Sequence, residues 1–172
     1  MNEIVQARIE RAKELLQTVR HVALATVNLD DSPHNSPVFM AFGKGLRGYW
    51  ASHPDSQHSQ NIARSGQVFL VLFDSMGKGG GLYVRARAQQ VAEDELEPAL
   101  AAFNRAKARV QPNLKDLAIK NFTQGSPQRL YMAVPEQIWV NVSEHDAAGH
   151  IIRDVRHEIS ADKLFGSEDW AQ

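Results

Sequence analysis

The sequence predicts a mainly β protein: an antiparallel β-barrel with peripheral helices. Three observations carry this. Short apolar, β-favouring runs recur along the chain and are joined by short, turn-rich connections. One of them, "LYVRARAQQV", alternates cleanly, with Leu82, Val84, Ala86 and Ala88 facing one way and Tyr83, Arg85, Arg87 and Gln89 the other. Helices are kept to the ends and to one excursion, which favours an antiparallel barrel over a parallel sheet.

The elements follow in order. Val5, Ile9, Ala12, Leu16 and Val19 recur at spacings of four and three, so residues 3–19 form an amphipathic helix with Glu3, Arg11 and Lys13 solvated. "HVALATVN" is a first strand and "LDDSP" its turn; "HNSPVFMAFG" is a second strand, "GKG" a tight connection and "LRGYWAS" a third strand. Pro37 suits an edge position or a bulge. In "SHPDSQHSQNIARSG", Asp55 or Ser56 is the N-cap of a short helix, Ile62 its inward anchor and Gly66 its stop.

"QVFLVLFD" is an unbroken apolar run, typical of a strand buried on both faces. "SMGKGGG" is a flexible loop. A helical insertion at 93–122 follows the alternating strand. In it, Asp94 and Glu97 form a capping box, and Leu96, Leu100, Phe103, Lys107 and Val110 keep the helical period. Two long strands, "RLYMAVPEQIWVNV" and "HIIRDVRHEI", are joined by "SEHDAAG", and a last short helix lies in "SADKLF". Two long arginine-bearing strands on so small a barrel expose much surface, which points to a homodimer.

With 172 residues, one domain spanning 1–172 has a substantial core. A formal net charge of -1 gives no electrostatic reason to expect a nucleic-acid or acidic-membrane partner. The absence of cysteine excludes disulfides and thiolate chemistry, so any redox activity needs a bound cofactor. No apolar run approaches the roughly 20 residues that span a bilayer, and the N-terminal pattern is unlike a secretory signal, so a cytoplasmic protein is expected.

The histidines do not suggest a metal. His53 and His58 straddle a proline and a helix start, and His145, His150 and His157 lie far downstream without zinc-type spacing. No Gly-x-Ser-x-Gly elbow supports a serine hydrolase. An anion cradle is the stronger reading. The short helix begins where the third strand ends, so its free N–H groups point off that strand end, with Ser56 and Gln57 as side-chain donors and His58 as a cation when protonated. Trp50 and Trp139 could stack on a planar ligand.

Taken together, "ATVNLDDSPHNSPV", "GYWASHPDSQHSQNI", "QVFLVLFD", "GLYVRARAQQV", "QIWVNV" and "IIRDVR" resemble, in order and spacing, the pyridoxamine 5′-phosphate oxidase-like, flavin-binding split-barrel family over roughly residues 21–159. The resemblance implies a six-stranded antiparallel split β-barrel that dimerises, with FMN in clefts at the subunit interface. It places Asn35, Ser36 and Val38, then Trp50, Ala51, Ser52, Ser56, Gln57 and His58, against the flavin ring and phosphate. Tyr83, Trp139 and Arg153 (or Arg156 beside it) are implied from the partner subunit.

The sequence also departs from the family's oxidases. A phosphate-binding arginine falls on Ser36, a substrate-contacting lysine on Ala41 and a flavin-reaching glutamine on Gly81. The Ser-Arg-Lys triplet is Ser56, Gln57 and His58 here, and the terminal Arg-Leu-His-Asp-Arg signature is absent. The expectation is an FMN-dependent oxidoreductase of another substrate rather than a true pyridoxamine 5′-phosphate oxidase. No catalytic residue is assigned; His53, His58 and Tyr83 are the nearest candidates for an acid or base. The alternative is a non-catalytic dimer that sequesters flavin or haem, with His150 or His157 as a haem ligand.

Overall fold

The computed structural model describes residues 3–76, 79–123 and 125–164. Helix α1 (Glu3–Thr18) buries Ile9, Ala12, Leu15 and Leu16 against the sheet, and the Val19 amide closes its end on the Leu15 carbonyl at 2.8 Å. The strands are β1 (His21–Val27), β2 (Pro33–Phe39), β3 (Ala41–Phe42), β4 (Gly48–Ser52), β5 (Gln67–Phe73), β6 (Gly81–Gln90), β7 (Arg129–His145) and β8 (Ile151–Glu158). All pair antiparallel in one sheet of order β2-β1-β5-β6-β7-β4-β3, with β8 added to β7.

The mainly β, antiparallel expectation holds, but the implied count of six strands becomes eight, in a sheet that does not close. Two causes are visible. The run expected as one second strand divides at Met40: β2 pairs with β1, whereas β3 pairs with β4. Strand β7, 17 residues long, pairs β4 along its first part and β8 along its last, so the sheet forks there. Pro37 lies on β2, at the end of the strand order, where a missing N–H is tolerated.

The connection expected as "GKG" is a 3-10 turn, Lys44–Leu46, in which Gly45 and Leu46 both take positive φ, so the strand starts later, at Gly48. Strand β5 is not buried on both faces. Val68, Leu70 and Leu72 enter the core, while Gln67, Phe69, Val71 and Phe73 are half-buried or exposed. The alternation in β6 is as the sequence indicates, with Leu82, Val84, Ala86 and Ala88 buried.

Helix α2 (Gln57–Ser65) ends at Gly66, whose φ of 66° is the left-handed conformation that glycine adopts without a Cβ penalty. A 3-10 turn at Glu93–Glu95 precedes α3 (Leu96–Val110). The expected Asp94–Glu97 capping box does not form, because that turn makes Glu95 the N-cap and no side chain caps the helix. Leu96, Leu100 and Phe103 of α3 pack with Ala41, Tyr49 and Leu130 in a second cluster, separate from the central core around Leu24, Trp50, Leu70 and Val140. The last helix is a 3-10 turn, Ala161–Lys163; Phe165, also assigned to it from sequence, lies outside the described residues. Among the described residues no helix is long and apolar enough to cross a membrane.

Candidate functional site

Because strand side chains alternate, β2 sends His34, Ser36 and Val38 to the core side and Asn35 and Pro37 to the outer side. On β4, Trp50 belongs to the central core and Tyr49 to the α3 cluster; Ser52 follows Trp50 at the strand end. Helix α2 then starts beside both strands. The result is a cluster built around His58, which is 8% exposed.

The His58 Nε2 atom lies 2.7 Å from Ser52 Oγ and 3.2 Å from Ser56 Oγ. Its Nδ1 is 3.2 Å from Ser36 Oγ, which in turn is 3.0 Å from His34 Nε2. Ser56 also donates to the His53 carbonyl at 2.8 Å and contacts Ser59 Oγ at 2.8 Å. None of these hydroxyls caps α2, so its first-turn N–H groups remain donors facing outward from the helix start. Rotating hydroxyls and open N–H groups at a helix N-terminus form a donor set for an oxyanion.

Burial, and then the neighbouring His34, push His58 below the ordinary imidazole range. His58 is therefore neutral near pH 7 and does not supply the cation expected there. The sign of the linkage follows. The folded state holds His58 neutral where the unfolded chain protonates it, so its contribution is complete above about pH 6.5 and is lost as pH falls toward the lowered folded value. Urea unfolding should accordingly show stability declining as pH drops below that point, with a shallower decline in His58→Gln. Equal declines in the two proteins would contradict this assignment.

Other residues implied from sequence are placed differently. Trp50 is fully buried and stacks on Tyr131 at 5.5 Å, so it is closed to a ligand. Ala51 is half-buried beside the α3 cluster, and Val38 is in the central core. Gln57 is exposed and its amide donates to Asn61 Oδ1 at 3.1 Å, along the helix and away from the hydroxyls. Ala41, at the position of the family's substrate lysine, is buried under α3. Arg153 is exposed and paired with Glu144 at 2.7 Å.

A second cluster lies on the outer face of the sheet. Tyr83 on β6 pairs with Trp139 on β7, and Phe69 stacks on Trp139 at 6.2 Å. The Arg156 guanidinium covers the Tyr83 ring at 4.5 Å and the Phe69 ring at 5.3 Å. Arg156, rather than Arg153, is thus the arginine on this face. A Cβ at Gly81 would sit 3.2 Å from the Tyr83 hydroxyl, so Tyr83 occupies the space beside the position where the oxidases carry a glutamine. An open cavity of about 640 Å³ adjoins the cluster, lined by Ala25, Phe69, Arg85, Arg87 and Glu136.

His150 stands at the exposed β7–β8 tip, held by Asp146 at 3.2 Å, remote in sequence and strand position from the His58 cluster. His53 is exposed with its ring near Asp55. Among the described residues no group of three or more His, Asp or Glu is placed to hold a metal ion. Sequence reasoning missed His34, Ser59 and Phe69. The alternation of β2 could have supplied His34, since it shares a face with Ser36.

The sequence model of pyridoxamine 5′-phosphate oxidase matches residues 9–134. No curated protein matches the sequence. Among solved structures, a Clostridium acetobutylicum protein related to general stress protein 26 of B. subtilis is similar, with a TM-score of 0.60 at 10% identity over 93% of this chain and 99% of that one. A haem-binding protein from Mycobacterium smegmatis is similar with a TM-score of 0.59 at 16% identity, over 91% of this chain and 59% of that one. The haem storage protein HutZ of Vibrio cholerae gives a TM-score of 0.55 at 22% identity, over 74% of this chain and 90% of that one. At these identities the likeness concerns the fold.

Proposed function

The chain belongs to the pyridoxamine 5′-phosphate oxidase family, and from that premise we propose that it is an FMN-binding flavoprotein, acting as a homodimeric, FMN-dependent oxidoreductase on a substrate other than pyridoxamine phosphate. The observation that carries the reading is the buried His58 cluster at the uncapped start of α2. Its donors suit a phosphate monoester. Ser36, Ser52, Ser56 and His58 would hold the FMN phosphate together with the first-turn amides. The flavin itself supplies the redox chemistry when bound.

The second subunit enters through the placement of the two clusters. The phosphate cradle is on the core side of β2, whereas Tyr83, Trp139 and Arg156 are on the outer face of the sheet. On this reading one flavin draws on the two clusters from different chains. A second copy packed against the outer face would bring its Tyr83 and Trp139 toward the first copy's cradle. The apolar residues of that face, Phe69, Val71 and Phe73, would then be covered. True oxidase activity on a phosphorylated pyridoxamine is disfavoured: Ser36 and Ala41 bring no fixed cation, and Ala41 is buried.

Titration of the apoprotein with FMN should quench and shift the flavin spectrum saturably, and NADH or NADPH should reduce the bound flavin under anaerobic conditions. An unperturbed flavin spectrum would overturn the cofactor assignment. Flavin binding without reduction by either donor would favour a sequestering dimer. A Soret band on adding haem, with no response to FMN, would favour haem, as in the names of two similar structures. The exposure of His150 and its bond to Asp146 disfavour it as the haem ligand, which leaves His157, half-buried on β8, for that outcome.

A further inference from the structure

The α3 insertion creates a cavity of its own. It lies between α3 and the β3–β4 turn, has a volume of about 280 Å³ and does not include any residue of the His58 cluster. Its lining is mixed, with Tyr49, Ala102 and Met132 forming an apolar wall among polar residues. Lys44, Arg47 and Arg105 line it, with one carboxylate, Glu95.

The charge imbalance is the informative feature. Among the described residues no hydrogen bond or ion pair engages the side chains of Lys44, Arg47 or Arg105. Arg47 and Arg105 come from different elements, the turn before β4 and the middle of α3, so local sequence does not explain their meeting. Three exposed cations without a carboxylate partner at one cavity raise the local positive potential and favour an anion there. By contrast Arg85 and Arg87, exposed on the outer face, both meet Glu136.

We propose that this cavity is a second binding site, taking a small organic anion with a compact apolar body. The volume is just below the roughly 300–1,000 Å³ usual for small-molecule pockets, so it suits a single-ring acid rather than a flavin or a dinucleotide. The guanidinium groups of Arg47 and Arg105 hold the carboxylate or phosphate, and the Tyr49–Ala102–Met132 wall receives the ring. The site shares β4 with the phosphate cradle: Ser52 follows Tyr49 by three residues, about 10 Å along the strand. Occupancy is therefore positioned to be felt at the flavin cleft. The assignment does not rest on the FMN reading.

The test uses phenyl phosphate as the probe and the full chain labelled with ¹⁵N. Saturable shifts are expected at the Gly43, Lys44, Ala102 and Ala106 amides. Benzyl alcohol and benzylamine, which lack the negative charge, should cause none. The double variant Arg47→Ala/Arg105→Ala, at exposed positions, should weaken phenyl phosphate by at least about tenfold, one charge-assisted contact's worth, and leave FMN affinity unchanged. If the shifts instead centre on Gln57 to Ser59 and vanish in His58→Ala, the probe binds only the cradle and the proposal fails. Absence of shifts at both places, or equal binding of benzyl alcohol, would overturn it as well. None of these outcomes depends on whether FMN binds.

Discussion

Joint replacement of Ser56 and His58 by alanine is expected to weaken FMN binding by about two to four orders of magnitude. Each lost hydrogen bond to a charged phosphate is worth about 1.5–3 kcal/mol, and 1.4 kcal/mol is about tenfold in affinity. His58 anchors the cluster through contacts of 2.7 Å to Ser52 and 3.2 Å to Ser36, so its loss also frees those hydroxyls from their set positions. The barrel should survive, because α2 is peripheral and Ile62 still anchors it in the core. Cooperative thermal unfolding of the variant would establish that.

The informative control is Gln57→Ala. Its side chain is exposed and turned to Asn61, so removal should change affinity only slightly. Flavin fluorescence titration separates the cases. An unchanged affinity in the double variant, or an equal loss in Gln57→Ala, would place the phosphate elsewhere.

Val71→Lys is expected both to dissociate the proposed dimer and to reduce FMN affinity. Val71 sits in the middle of the outer face, opposite Ala23 on β1 and Tyr83 on β6. Neither neighbour offers a carboxylate, and Arg156 over Tyr83 adds a like charge nearby. An unpaired ammonium enclosed at an interface costs several kcal/mol, about a thousandfold or more in the dimer dissociation constant. Val71 lies outside the proposed FMN contacts. Coupled loss of dimer and flavin would therefore show that the site is composed from two chains.

Sedimentation at matched concentrations, with and without FMN, is the measurement. Leu114→Lys, on the exposed segment after α3, is the control that should remain dimeric. A parent protein that is monomeric with FMN bound, or a Val71→Lys dimer with undiminished affinity, would contradict the two-chain site.

Some of this arrangement was legible from local sequence. The alternation from Leu82 to Gln89 declares which side of β6 enters the core, because side chains on a strand switch faces at every residue. The stop at Gly66 is equally local, since its left-handed conformation excludes most other residues. The order of motifs from Ala25 onward carried the family, which the match over residues 9–134 bears out.

Other features depended on distant parts of the chain. The run "QVFLVLF" reads as buried on both sides, yet only one face enters the central core, and Phe69 and Val71 on the other are half-buried. Gln57 and His58 are adjacent, and nothing local says which turns inward. One residue along a helix rotates the side chain by about 100°, and the placement of α2 against β2 and β4 turns His58 to Ser36 and Ser52.

The sequence by itself therefore determined the antiparallel strand pattern, the family and the location of the helix start at which an anion site is proposed. These follow from periodicity, turn chemistry and motif order, all carried by near neighbours. Tertiary structure decided that His58 is neutral, that Trp50 is sealed in the core, and that Arg156 covers the aromatic face. Burial and dielectric environment arise only when strands far apart in sequence are brought together, so no local pattern of residues encodes them.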